Sequence, residues 1–141
     1  MKVLMVNGSP HIKGCTYTAL EEVGKGLQEC GIDYEIFQLG ARPVRDCIGC
    51  NKCQGNGCIF KNDKDDAVNR FLEKAKEADG FVFGSPVYFA HPSGQILSFL
   101  DRVFYSSAVG ELYPVFAGKP GAAVVSARRG GTTASIYAFN K

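Results

Sequence analysis

The sequence predicts an α/β protein, an open parallel sheet with helices on both faces. Two observations carry that expectation. Val3-Leu4-Met5-Val6, Phe81-Val82-Phe83-Gly84 and Ala122-Ala123-Val124-Val125 are short, unbroken apolar runs, the pattern of strands buried on both sides. Between them lie segments whose apolar residues recur at helical spacing, and strands that alternate with helices imply right-handed crossovers in a parallel sheet. At 141 residues the chain fits one domain, 1–141, able to bury a core without disulfide staples.

The first run stops at Asn7-Gly8-Ser9-Pro10, a turn at a strand end. Thr18 to Gln28 follows as a helix, with Leu20, Val23 and Leu27 on one face and Glu21 and Glu22 in its early turns, where the dipole favours them. Cys30-Gly31 supplies a glycine C-cap signal. Asp33 to Leu39 alternates imperfectly and reads as the second strand. Residues 40–64 then show no element of their own, which in a compact domain points to a functional loop. A helix is expected from Asp65 through Ala67, Val68, Phe71, Leu72 and Ala75, with Asp65-Asp66 at its N-terminus and Asp79-Gly80 at its end. After the third strand, Ser93 to Phe104 carries Ile96, Leu97, Leu100 and Val103 on one helical face. The fourth strand follows Lys119-Pro120-Gly121, and a last helix starts at Thr132-Thr133-Ala134-Ser135. An apolar edge such as Ala122 to Val125 needs a cover. The domain is therefore expected to be truncated at its C-terminus, by proteolysis or otherwise, or to be covered by a partner chain.

The formal charge of +2 comes from interspersed signs, with no basic stripe to track a nucleic-acid backbone. Neither a signal sequence nor a membrane-spanning stretch is evident, so a cytoplasmic protein is expected. In a reducing compartment a tight cysteine cluster argues for metal or redox chemistry before disulfides.

Ligands of open α/β sheets bind at the carboxyl ends of the strands. Three loops leave such ends here. Ser9 to Thr18 offers hydroxyls, a basic residue and helix N-terminal N–H groups, which suits a phosphate dianion. It is neither a P-loop nor a G-x-G-x-x-G turn. Ser85 to Pro92 presents Tyr88 and Phe89 on a stretch stiffened by prolines, suited to a planar ring. Ser126 to Gly131 brings Arg128, Arg129 and glycine N–H groups, which can stabilise charge that builds on a reduced ring. Taken singly, these are equally an ordinary turn capped by Ser9 or Thr16, a hydrophobic plug and a solvated turn. Together they suit one ligand.

The motifs Asn7-Gly8-Ser9-Pro10, Gly14-Cys15-Thr16, Asp46-Cys47-Ile48-Gly49-Cys50, Ser85-Pro86-Val87-Tyr88-Phe89, Leu100-Asp101-Arg102 and Ala127-Arg128-Arg129-Gly130-Gly131 occur in order over nearly the whole chain. On them the sequence resembles the NADPH-dependent FMN reductase and iron-sulfur flavoprotein family of flavodoxin-like proteins. The resemblance implies a sheet of order 2-1-3-4-5, of which strands 1 to 4 are expected within these residues and the fifth is expected to be missing. It also implies non-covalent FMN, NAD(P)H as electron donor, a flavin oxidoreductase activity, and a homodimer or homotetramer. By the same resemblance Ser9, His11, Gly14, Cys15, Thr16 and Tyr17 would hold the FMN phosphate. Pro86, Val87, Tyr88 and Phe89 would line the ring, and Ala127, Arg128, Arg129, Gly130 and Gly131 its polar edge. Position 15 is commonly asparagine and position 11 arginine in that family, so Cys15 and His11 imply a weaker phosphate grip.

Cys47-x2-Cys50-x2-Cys53-x4-Cys58 lets consecutive thiolates wrap one small object and is close to a ferredoxin-type run. Within the family this motif implies a [4Fe-4S] cluster, a one-electron relay on the 40–64 loop, which Gly49, Gly55 and Gly57 would bend. Free or oxidisable thiols in a cluster-free FMN or quinone reductase are the second reading, and tetrahedral zinc the third. A metal-binding or electron-carrier module without turnover is a reading of another class. Asp101-Arg102 reads as a helix-cap ion pair or a subunit contact, and His91 as a structural or surface residue.

Overall fold

A computed structural model describes residues 1–53, 56–63, 66–108 and 110–140. The expected helix start at Asp65, the bend at Gly55 and the terminal Lys141 lie outside the described residues. Strands β1 (Lys2–Asn7), β2 (Asp33–Gln38), β3 (Gly80–Pro86) and β4 (Gly121–Ser126) form one sheet in the order β2-β1-β3-β4. Every pairing is parallel, with Val6 opposite both Phe37 and Phe83, and Ser85 opposite Val125. This is the expected flavodoxin-like order. On its outer side β4 meets no further strand among the described residues.

Successive side chains of a strand point to opposite faces. Leu4 and Val6 of β1 therefore join Phe37, Phe81 and Phe83 in a cluster with α2 (Ala67–Ala75) and α3 (Gly94–Ser107), while Met5 and Val82 pack with Leu20 of α1 (Cys15–Glu29) on the other face. Phe71 of α2 is fully buried at the centre of the larger cluster, edge-on to Phe37 at 5.4 Å and to Phe99 at 5.1 Å. A final helix, α4 (Thr132–Phe139), packs along β4.

Helix α1 begins three residues before the expected Thr18, so Glu21 and Glu22 fall in its second turn and no acidic residue stands in the first. Its end is as expected. Gly31 at φ +71 takes the left-handed position after the C-cap, and its N–H reaches the Gln28 carbonyl at 2.9 Å. In α2 Asp66 is the N-cap, accepting from the Val68 N–H at 3.0 Å, and Ser93 does the same for Ile96 in α3. A 3₁₀ segment at Gly110–Val115, with Pro114 inside it, has no counterpart in the sequence reading. Within 40–64 the described residues hold one short 3₁₀ turn, Phe60–Asn62. None of the described helices is long and apolar enough to cross a membrane.

Glu35 on the edge strand β2 bridges Lys74 at 2.6 Å and Lys2 at 2.9 Å. The hydrogen bond from Lys74, then that from Lys2, holds its carboxyl below the usual carboxylate value. A depressed carboxyl stabilises the fold above its unfolded pKa and ceases to do so as pH falls through the lower folded value. Partial exposure limits the effect to about 1 kcal/mol. Stability measured by urea titration is thus expected to fall below about pH 4.5 by that amount more in the native protein than in Glu35→Gln. Equal acid sensitivity of the two would show that the bridge contributes nothing.

Candidate functional site

The carboxyl ends of β1, β3 and β4 are tied into one edge. The Gly8 N–H donates to the Gly84 carbonyl at 2.8 Å, and a Cβ at Gly8 would stand 2.8 Å from that same oxygen. Ser93 Oγ donates to the Gly8 carbonyl at 3.1 Å while the Ser93 N–H donates to Ser85 Oγ at 3.1 Å. Thr16 and Ser126 share a hydroxyl hydrogen bond of 2.8 Å, joining the start of α1 to the end of β4.

Two amides shape the loop that follows β1. Asn7 Oδ1 accepts from the Ser9 N–H at 3.1 Å, and its Nδ2 donates to Gln38 Oε1 at 2.5 Å and to the His11 carbonyl at 3.3 Å. Gln38 Nε2 donates to the Ser9 carbonyl at 2.7 Å, and Ser9 Oγ accepts from the His11 N–H at 3.2 Å. This wraps the loop tightly over the N-terminus of α1, whose N-cap is Gly14. Unlike α2 and α3, α1 has no side chain capping its first turn. Its leading N–H groups, from Cys15, Thr16 and Tyr17, are therefore available to an anion, and the helix dipole favours one there. Ser9 and Thr16 are buried, Gly14 is half-buried, and His11 and Cys15 are exposed. Tyr17 turns its phenol to Glu21, whose hydrogen bond raises the phenol's pKa, so its offering to the loop is its backbone N–H.

Across the edge, the Val87 N–H donates to the Ser126 carbonyl at 2.8 Å, and Val87 bridges Pro92. Ala90 sits at φ +54 at the tip of this hairpin-like turn. Beside it Gly131 caps α4 at φ +97, and a Cβ there would lie 2.7 Å from Ala90 Cα, so only glycine fits. Pro86 and Val87 are half-buried, whereas Tyr88 is 63% and Phe89 96% exposed. Ala127 is half-buried, and Arg128, Arg129 and Gly130 are exposed. His91 is also exposed, and its carbonyl accepts from the Tyr88 N–H at 3.3 Å. An uncapped helix start, an open aromatic shelf and a glycine-rich turn on one sheet edge fit a phosphorylated planar cofactor.

The cysteine loop closes against α3. Cys47, Cys50, Cys53 and Cys58 line one cavity, walled by Phe60 and by Arg102, Tyr105 and Ser106 of α3. Cys58 is buried, Cys50 and Cys53 are half-buried, and Cys47 is exposed. Burial, and after it the neighbouring sulfurs of Cys58, Cys50 and Cys47, push the Cys53 thiol above its ordinary pKa. Four thiols lining one cavity fit an iron-sulfur cluster in number and kind. Their sulfurs are not drawn together into a metal-holding group among the described residues.

Arg102 does not sit at a helix end. It lies well inside α3, 1% exposed, and its Nη1 meets Asp66, the cap of α2, at 2.6 Å. The signal for this is an arginine on the face that carries Phe99 and Val103, both buried. Gln38, Asn69 and Tyr105, which shape the two loops, carried no such signal.

The chain has clear relatives. A model of the NADPH-dependent FMN reductase family matches residues 1–141. An iron-sulfur flavoprotein of Methanocaldococcus jannaschii is 40% identical over 103 residues, covering 72% of this chain and 51% of that protein. An FMN-dependent NADPH-azoreductase of Staphylococcus saprophyticus is 35% identical over 106 residues, 73% of this chain and 52% of its own. The chain thus spans about half the length of the curated relatives it matches. Among solved structures, RosB with a bound flavin-phosphate intermediate superposes with a TM-score of 0.77 at 14% identity, over 99% of this chain and 57% of that one. An NAD(P)H:quinone oxidoreductase from Methanothermobacter marburgensis gives 0.65 at 22%, over 90% and 66%. Those two likenesses speak to the fold. With the family match running the length of the chain on a sheet of the same kind, the chain belongs to the NADPH-dependent FMN reductase family.

Proposed function

We propose that this chain is the FMN-binding part of an NADPH-dependent flavin oxidoreductase whose cysteine loop holds a [4Fe-4S] cluster as a one-electron relay. The observation that carries the reading is the gathering of all four cysteines around one cavity, in a chain 40% identical to a protein named as an iron-sulfur flavoprotein. Bound FMN supplies acceptance of a hydride and release of single electrons. The protein's part is to hold and orient it. The first-turn N–H groups of α1, with Ser9 and Thr16, would neutralise the phosphate, and His11 would add a pH-dependent cation. Pro86 to Phe89 would cover the ring and exclude water from it. Backbone N–H groups between Ala127 and Gly131 would donate to its polar edge, where charge accumulates on reduction. Cys47, Cys50, Cys53 and Cys58 would ligate the cluster. The exposed Tyr88 and Phe89 support the dimer or tetramer that the resemblance implies, since aromatics beside a ring site are apt to be covered by a neighbour.

A second reading is a cluster-free FMN or quinone reductase, supported by the finding that the cysteines, though they line one cavity, form no metal-holding group among the described residues. Anaerobic purification followed by flavin, iron, sulfide and zinc analysis decides between them. The cluster reading expects FMN together with about four irons and matching sulfide per chain. FMN without iron would establish the second reading, and one zinc in place of iron would overturn the cluster.

A further inference from the structure

The cysteine cavity has a back wall made by one helix, and what that wall touches is specific. Arg102 Nη2 and Nε donate to Cys58 Sγ at 3.1 and 3.4 Å, and its Nη1 donates to Asp66 at 2.6 Å and to the Arg45 carbonyl at 3.1 Å. Its guanidinium also lies over the Phe60 ring, 5.0 Å from the centroid, and Arg45 lies over the same ring at 4.6 Å. One buried side chain thus holds the loop at residues 45, 58 and 60 and at the start of α2. One turn further along α3, the Tyr105 hydroxyl donates to Asn51 Oδ1 at 2.6 Å, in the stretch between Cys50 and Cys53. From α2, Asn69 brackets the backbone of Cys58, accepting from its N–H at 2.9 Å and donating to its carbonyl at 3.0 Å.

None of these contacts serves the flavin edge. A planar fork that spends two donors on a sulfur is an unusual use of a buried arginine, because carboxylates and carbonyls accept far better than a neutral thiol. The arrangement suits a sulfur that carries negative charge, as a metal-bound thiolate does, and hydrogen bonds to ligand sulfurs are among the groups that set cluster potentials. A guanidinium is not deprotonated in proteins, and the Asp66 carboxylate at 2.6 Å answers its charge, so the cation persists in the wall.

We propose that Arg102 is the positioning residue of the cysteine cavity: it seats Cys58 and, through two hydrogen bonds and its charge, raises the reduction potential of a cluster ligated there. The second half rests on the cluster reading given above. The first half concerns the metal-free protein as well. Because a positive charge and two donors favour the more negative, reduced cluster, their removal shifts the potential to more negative values. Loss of such an outer contact typically weakens metal binding 10–100-fold.

The test compares the wild type with Arg102→Lys and with the double variant Arg102→Met, Asp66→Asn, which leaves no unpaired buried charge and keeps a capping side chain on α2. After anaerobic reconstitution with iron and sulfide, the expected results are iron loss to a ferrous chelator roughly tenfold faster in both variants and a more negative potential in the double variant by electron paramagnetic resonance titration. In metal-free protein, alkylation mapped by mass spectrometry is expected to reach Cys58 much later than Cys47 in the wild type, and at comparable rates in the double variant. Wild-type potential and iron retention in the double variant would overturn the tuning role with the cluster reading intact. A wild type that takes up no iron would instead sink the cluster reading. In that event an unchanged Cys58 alkylation rate in the double variant would overturn the seating role too.

Discussion

Asp66→Ala is expected to destabilise the fold by about 3–5 kcal/mol, the range for breaking a buried ion pair by removing one partner. Both side chains are out of water, at 0% for Arg102 and 6% for Asp66. Removing the carboxylate leaves a guanidinium in the interior that, among the described residues, the Cys58 sulfur, the Arg45 carbonyl and the Phe60 ring answer without a countercharge. The loss includes the α2 cap, since the same Asp66 side chain accepts from the Val68 N–H, and a cap alone is worth about 0.5–2 kcal/mol. Asp66→Asn separates the two parts, keeping a capping oxygen while removing the charge. Urea denaturation of the metal-free chain measures both. If Asp66→Ala loses no more than a cap is worth, the ion pair adds nothing to stability.

Phe71→Ala is the core counterpart, with an expected loss of about 3–5 kcal/mol. The ring is fully buried and meets five others, Phe37, Phe81, Phe83, Phe99 and Phe116. Edge-on and tilted aromatic pairs add to the area term. Helices α2 and α3 and three strands converge on this ring, so there is no single neighbour free to move into the space. Phe71→Leu, which leaves a smaller void, is expected to lose much less. A Phe71→Ala loss below about 2 kcal/mol, under the usual range for such deletions, would mean that the cluster collapses into the cavity.

Elements with a strong local signature were legible in the sequence. The apolar runs at Val3–Val6 and Phe81–Gly84 are strands because both faces of a parallel sheet are covered, which leaves no polar alternation to confuse them. Cys30-Gly31 ended α1 because only a left-handed residue closes that turn cheaply. The start of α1 was missed for a related reason: Gly14-Cys15-Thr16 has no apolar period and no capping side chain, the property that leaves its N–H groups open to an anion. Pro114 and a three-residue repeat hid the 3₁₀ segment at Gly110–Val115 from a search for helical spacing.

The candidate site divides in the same way. Its loops could be read, since hydroxyls, aromatics, glycines and cysteines announce their chemistry by type. Their supports could not. Asn7 and Gln38 meet across 31 positions, and Arg102 meets Cys58 across 44. No spacing rule links residues that only the sheet order and a helix crossing bring together.

One consequence lies in α3 itself. Its first residue follows Ser93, which holds the Gly8 carbonyl at the carboxyl edge of the sheet, and its later turns carry Arg102 and Tyr105 against the cysteine loop. At 1.5 Å per residue the two grips stand roughly 14–18 Å apart along a single stiff rod. Helix length, and not the irregular chain between residues 40 and 64, therefore gauges the interval between the two loops. Insertions in that irregular chain can change what the cavity holds without changing how far it stands from the edge, whereas one residue added to the rod between the grips would turn one of them by about 100° relative to the other.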